Sequence, residues 1–134
     1  MLLVDSSVWI DVIRGGVTQG ASFLEQRDDE ELAVTGLVFQ EVLQGASSDK
    51  DFERLRDMFQ DMLLLEPRAL STYEIAAQLF RQARAAGFTI RKPTDCLIAA
   101  LALEHGALLV HNDRDFFFLS QVEPSLLIFP GRPH

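Results

Sequence analysis

Four acids in this chain stand where a carboxylate could do chemistry. Asp5 directly follows the apolar run Leu2-Leu3-Val4, and Asp113 comes shortly after Leu108-Leu109-Val110. Glu41 sits in Leu37-Val38-Phe39-Gln40-Glu41-Val42-Leu43, among large apolar neighbours. An acid so placed either lies on a narrow wet side or is aimed at a partner that offsets its desolvation. Asp95 opens Asp95-Cys96-Leu97-Ile98-Ala99-Ala100-Leu101-Ala102-Leu103, a helix apolar almost all round and therefore buried. At about 100° per residue, Ile98, Ala99 and Ala102 share the face of Asp95, and Glu104 points away. Each acid taken alone also reads as a helix cap or as a charge favourably placed against a helix dipole. Gathered at one rim, the four would repel and raise one another's pKa unless cations neutralised them. Oxygen ligands without a Cys/His set favour Mg²⁺ or Mn²⁺ over zinc. A pair of such ions can activate water and stabilise the leaving oxygen of a phosphodiester, with no nucleophilic side chain. No Ser/His/Asp or Cys/His set competes. Cys96 is the one cysteine and lacks a basic partner in sequence, His105 lies at a helix end, and His134 is terminal.

The elements needed to bring these acids together are legible. Leu2–Val4, Leu32–Val34, Leu63–Leu65, Leu108–Val110 and Leu126–Phe129 read as short strands. Between them, Ser6 or Ser7 caps a helix around Val8 to Ile13, closed by Gly15-Gly16, with a further turn or two over Ala21 to Gln26. Thr35 caps a helix to about Gln44. Phe52, Leu55, Phe59 and Met62 mark one face of an amphipathic helix. Ser71-Thr72-Tyr73-Glu74 matches a capping box for a helix that reaches Ala86 and stops at Gly87. A further helix follows Pro93-Thr94 and ends at His105-Gly106, and a short one lies within Asp113 to Ser120. Strands alternating with helices indicate an α/β domain with a mostly parallel sheet. Ligands of such sheets sit beyond the carboxyl ends of the strands, near the point where strand order reverses. Asp5 and Asp113 both lie at that edge.

Composition narrows the class. The chain has 134 residues and 48% hydrophobic content, which suits one folded domain over 1–134 and excludes disorder. One cysteine excludes an internal disulfide and fits a reducing compartment. No run approaches the ~20 apolar residues of a membrane span, and the N-terminus lacks a signal-peptide pattern. A soluble, cytoplasmic protein is expected. With 12 basic and 20 acidic residues, the net charge of −8 argues against gripping nucleic acid through the overall field.

Several segments together resemble the PIN-domain ribonucleases, and most closely the toxin (VapC-like) subunits of VapBC-type toxin–antitoxin pairs. They are Leu3-Val4-Asp5-Ser6-Ser7-Val8-Trp9-Ile10, the Glu41 helix, Asp95-Cys96-Leu97-Ile98-Ala99-Ala100, and His111-Asn112-Asp113-Arg114-Asp115-Phe116, in family order across nearly the whole chain. The resemblance implies a three-layer α/β/α domain with a mostly parallel sheet of about five strands. It implies Mg²⁺- or Mn²⁺-dependent RNA cleavage leaving 5′-phosphate and 3′-hydroxyl ends, a homodimer, and a small VapB-like antitoxin that occludes the site. Carried residue by residue, the metal-site acids are Asp5, Glu41, Asp95 and Asp113. Ser6 or Ser7 hydrogen-bonds nearby, and Asp115 is an accessory acid. The family commonly has Thr where His111 stands; imidazole would replace the hydroxyl as a donor, and its protonation would matter near neutral pH. Cys96 stands where Ala is frequent.

Between Ile75 and Thr94 there is no acid, yet Arg81, Arg84, Arg91 and Lys92 fall there. Arg91 and Lys92, just before Asp95, are assigned to RNA phosphates, with Arg81 and Arg84 extending the track and Arg14 a further candidate. The acidic chain would attract a basic antitoxin segment, whose Arg could enter the carboxylate cluster. Phe52 and Phe59 are apolar residues available to a dimer contact. A haloacid-dehalogenase-type phosphatase would need a second Asp where Ser7 stands, and a receiver domain would need a lysine after the late strands, whereas the last is Lys92. The remaining alternative is a PIN-like module that binds RNA or protein without cutting.

Overall fold

The computed structural model describes residues 1–27 and 30–131; His134 lies outside the described residues. In chain order the elements are β1 (Leu2–Val4), α1 (Ser6–Ile13), α2 (Gln19–Glu25), β2 (Leu32–Thr35), α3 (Gly36–Leu43), α4 (Asp49–Met58), β3 (Leu63–Leu65), α5 (Leu70–Ala85), α6 (Pro93–His105), β4 (Leu108–Val110), α7 (Arg114–Val122) and β5 (Ile128–Phe129). The five strands form one sheet in the order β3-β2-β1-β4-β5, and every pairing is parallel. The strands are short, continuous apolar runs because both faces are covered, as parallel sheets require. β1, in the centre, is buried throughout, with Leu3 opposite both Ala33 and Leu109. At the edge, β3 leaves Leu63 and Leu64 exposed.

Helices α1 to α4 pack as one group and α5 to α7 as another, with the sheet between them. Strand order reverses at β1: β2 and β3 extend to one side, β4 and β5 to the other. The crevice of the sheet therefore opens where the chain leaves β1 and β4. Asp5 and residues 111–113 occupy those two exits.

Two expected caps are corrected. Asp5, not Ser6 or Ser7, is the N-cap of α1, its carboxylate accepting the Ser7 N–H, so the helix begins at Ser6. The Ser71–Glu74 capping box does not form. Ala69 precedes α5 and supplies no side-chain cap. Glu104, from the last turn of α6, instead accepts hydrogen bonds from the Thr72 hydroxyl and the Arg68 N–H. Glu104 does lie away from the acidic rim, as its helical phase requires. Thr35 caps α3 as expected, accepting the Val38 N–H at 3.1 Å.

Phe59 is buried against Trp9 and Phe39, with ring centroids 5.6 and 5.8 Å away, and is not available to a dimer contact. Phe52 remains exposed. Where α2 crosses α1, Gly20 lets the backbones approach: a Cβ there would sit 2.9 Å from Cγ2 of the fully buried Val8. Valine is stiff about χ1 and cannot yield. Gly20→Ala is expected to cost about 1–3 kcal/mol, read as a lowered denaturation midpoint with an unchanged slope.

Candidate metal centre

Asp5 is almost fully buried at the exit of β1. Its Oδ2 accepts the Ser7 N–H at 3.1 Å and the Ser7 hydroxyl at 2.6 Å. The same hydroxyl accepts the Asn112 N–H at 3.0 Å, joining the exits of β1 and β4 across the crevice. Burial raises the Asp5 pKa; the Ser7 hydrogen bonds oppose the shift, and the Glu41 charge adds to it. Ser6 turns the other way and donates to Glu41 Oε2 at 2.8 Å. Glu41 itself is half-buried on α3, with Lys92 Nζ 4.0 Å from the same oxygen. Both sequence readings of Glu41 are thus realised: it has a wet side and it has partners.

Asp95 enters from α6. Lys92 is the N-cap residue, and Pro93, whose fixed φ suits the first helical position, starts the helix. The Asp95 side chain is 1% exposed, and its Oδ2 has no hydrogen-bond partner among the described residues. Burial, followed by repulsion from Asp5 and Asp113, pushes its pKa up to about 8, with Lys92 opposing.

Asp113 caps α7 by accepting the Asp115 N–H at 3.0 Å. Asp115 is fully buried; its Oδ2 accepts the Arg91 N–H at 2.9 Å, while its Oδ1 has no hydrogen-bond partner among the described residues. One carboxylate oxygen from each of Asp95, Asp113 and Asp115 lies within 4.8 Å of the others. Asp115, ranked as an accessory from sequence, is thus one of the three acids drawn most tightly together. The Asp-x-Asp spacing was the available signal. Asp5 adjoins this trio closely enough to raise the Asp95 pKa.

His111 does not act as a donor into the site. It is fully buried, its Nδ1 accepts the Asp113 N–H at 3.2 Å, and its Nε2 is 3.0 Å from the Pro130 carbonyl. An acceptor role at Nδ1 puts the single proton on Nε2, which donates to that carbonyl. Burial lowers the His111 pKa, and the hydrogen bonds to Pro130 and Asp113 offset only part of the shift. The ring is a neutral strut that holds the Asp113 turn. His111→Phe keeps the bulk but strands the Asp113 N–H and the Pro130 carbonyl, and is expected to cost about 1–3 kcal/mol in chemical denaturation.

Of the basic candidates, Arg91 and Lys92 reach the acids. Arg91 Nη2 is 3.4 Å from Asp113 Oδ1 and its Nε 3.9 Å from Asp115 Oδ1. Burial works against the Lys92 ammonium, but Asp95, Glu41, Asp5 and Asp113 together outweigh it and raise its pKa. Arg81 lies farther along, lining a groove with Pro93 and Thr94, and the Arg84 guanidinium rests 5.8 Å from the Phe80 ring. Arg14 is exposed at the far end of α1, about 12 Å of helix away from Asp5, and is not brought to the rim.

The donor set is all oxygen, it is crowded with like charge, and it contains buried carboxylate oxygens without partners. Those features fit a hard divalent cation. They do not fit zinc: Cys96 is buried with its thiol pKa pushed up to about 12, and His111 has both ring nitrogens engaged.

The fold and site thus define a parallel α/β domain with an acidic rim, suited to a cation, at its topological switch point. The chain belongs to the PIN domain family, whose family model matches residues 2–119. It is 34% identical over 125 residues to ribonuclease VapC11 of Mycobacterium tuberculosis, covering 91% of this chain and 93% of that protein. In fold it is similar to VapBC-1 from nontypeable Haemophilus influenzae, with a TM-score of 0.73 at 19% identity, covering 95% of each chain. It is likewise similar to a toxin–antitoxin complex from Klebsiella pneumoniae, with a TM-score of 0.72 at 17% identity, covering 99% of this chain and 100% of that one.

Proposed function

We propose that this chain is an endoribonuclease toxin of a type II toxin–antitoxin pair, hydrolysing RNA phosphodiester bonds with Mg²⁺ or Mn²⁺. One observation carries the reading: the bare, buried Asp95 oxygen set among Asp5, Asp113 and Asp115. Membership of the PIN domain family and the likeness to a protein named a ribonuclease support it.

Asp5, Asp95 and Asp113 would hold the cations, with Glu41 completing the rim. Bound there, divalent ions supply the Lewis-acid charge that phosphodiester hydrolysis needs at the attacking water and at the leaving oxygen. The protein's own work is positioning. Ser7 fixes the Asp5 carboxylate and the backbone of Asn112, Ser6 fixes Glu41, and His111 fixes the turn that presents Asp113. Asp115 holds the backbone of Arg91 beside the site. Arg91 and Lys92 are the phosphate contacts nearest the rim, and Arg81 lies on a path leading away from it.

The chain is taken to act as one domain in the cytoplasm. None of the described helices is long and apolar enough to cross a membrane, and Cys96 is a free, buried thiol. A homodimer and a small VapB-like antitoxin complete the assembly. The acidic rim suits a basic antitoxin segment, and one of the similar solved structures is named a toxin–antitoxin complex. The test is digestion of total RNA by the purified, antitoxin-free protein with Mg²⁺ or Mn²⁺, with EDTA, and with Asp95→Asn. Fragments that need the metal and vanish in the variant are expected. Folded protein that leaves the RNA intact under all conditions would overturn the nuclease and favour a binding module.

A further inference from the structure

Arg91 and Lys92 carry the positive charge nearest the proposed scissile phosphate, yet both head groups lie on carboxylates of the rim. Arg91 spans Asp113 and Asp115 at 3.4 and 3.9 Å, and Lys92 approaches Glu41 at 4.0 Å. We propose that these two side chains are resident counter-ions which a divalent cation displaces, and that displacement makes them available to the phosphodiester backbone of the substrate. The proposal rests on the nuclease reading above.

Three features support an exchange. The pairs are loose: the Arg91 and Lys92 side chains are 57% and 51% exposed, and none of the three distances is short. Such pairs contribute little and yield readily to a competitor. The backbones beneath them are anchored independently of the head groups. Asp115 holds the Arg91 N–H, and Lys92 is followed by Pro93 at the start of α6. Only the side chains need swing. Finally, the two sides are mismatched in number, since five acidic side chains (Asp5, Glu41, Asp95, Asp113 and Asp115) face two monovalent cations, an excess that remains when Asp95 is protonated. Divalent ions at the rim supply what the pair cannot, and each cation they free is left beside a site that must receive a polyanion. Metal and nucleic acid then bind with positive coupling, although they approach the same negative rim.

The test uses the full chain without antitoxin, and Arg114 as the control. Arg114 is exposed, adjoins Asp113 in sequence, and makes no ion pair among the described residues. Mg²⁺ is titrated calorimetrically into the wild type, Arg91→Gln, Lys92→Gln and Arg114→Gln. Arg91→Gln and Lys92→Gln should each bind Mg²⁺ about two- to fivefold more tightly, the scale of releasing one exposed ion pair. Arg114→Gln should not change the affinity. In a second arm, a labelled oligothymidylate serves as a phosphodiester strand, its binding followed by anisotropy with and without Mg²⁺. The wild type should gain affinity with Mg²⁺, and the Arg91→Gln/Lys92→Gln protein should lose most of that gain. Equal effects of Arg91→Gln and Arg114→Gln on Mg²⁺ would reduce the cations to a general field and overturn the exchange. So would an unchanged Mg²⁺-dependent gain in the double variant. A wild type that binds no Mg²⁺ would instead sink the nuclease reading itself.

Discussion

Asp95→Asn is expected to stabilise the metal-free protein while abolishing its cleavage of RNA. The carboxyl is 1% exposed, one oxygen lacks a partner among the described residues, and its pKa is pushed from 3.8 up to about 8. A carboxyl whose pKa rises on folding must take up a proton to fold comfortably at neutral pH. Its contribution is therefore neutral below pH 4 and increasingly destabilising as pH rises from there towards 8. The slope approaches 1.4 kcal/mol per pH unit where the two states differ by a full proton. Asparagine has nearly the same shape, carries no charge and removes this pH dependence. A buried amide with incomplete hydrogen bonding returns part of the gain, so a net stabilisation of about 1–3 kcal/mol at pH 7.5 is expected. Denaturation in EDTA should show the variant above the wild type at pH 7.5 and somewhat below it near pH 4, where only the cost of the amide remains. Loss of stability at pH 7.5 would mean that the carboxylates are not held under mutual strain.

Cation binding should expel a proton, and its affinity should climb with pH. With a pKa of about 8, Asp95 is mostly protonated at pH 7, while a metal ligand must be deprotonated. Each Mg²⁺ or Mn²⁺ that binds through Asp95 must displace close to one proton at pH 7 and fewer above pH 8. Apparent affinity should fall about tenfold for each pH unit below 8, the signature of one linked proton. Calorimetry in two buffers of different ionisation enthalpy measures that proton directly. Heats independent of buffer, together with a flat affinity between pH 6 and 8, would show that Asp95 is already ionised when the cation arrives. Asp5, also raised by burial, adds to the same trend.

The sequence makes most of the framework legible because parallel strands buried on both faces leave continuous apolar runs, as in Leu2–Val4 and Leu108–Val110. The acids are legible for a related reason. Asp5, Asp95 and Asp113 each abut a strand end or lie near a helix start, so topology alone places them, whereas Glu41, late in α3, stands out only as an acid among large apolar neighbours. What sequence reading misses depends on contacts between distant residues. Nothing local tells that the Asp115 carboxylate will clasp the backbone of Arg91, 24 positions earlier. Nothing in Ser71-Thr72-Tyr73-Glu74 reveals that Thr72 turns to an acid 32 positions later. Analogy with a hydroxyl points the His111 ring into the site. The ring instead folds back to bridge its own turn and the Pro130 carbonyl, where burial keeps it neutral.

The grip of Glu104 on Arg68 and Thr72 reaches beyond the start of α5. Glu104 sits near the last turn of α6, and Asp95 in its first, so one helix runs from that grip to the acidic rim. Thirteen residues of α-helix make a stiff rod about 20 Å long, which slides and rotates as a unit. The Asp95 end therefore takes its alignment partly from a fastening at the far end of the helix. Evolution can loosen that remote end only as far as the geometry of Asp95 allows.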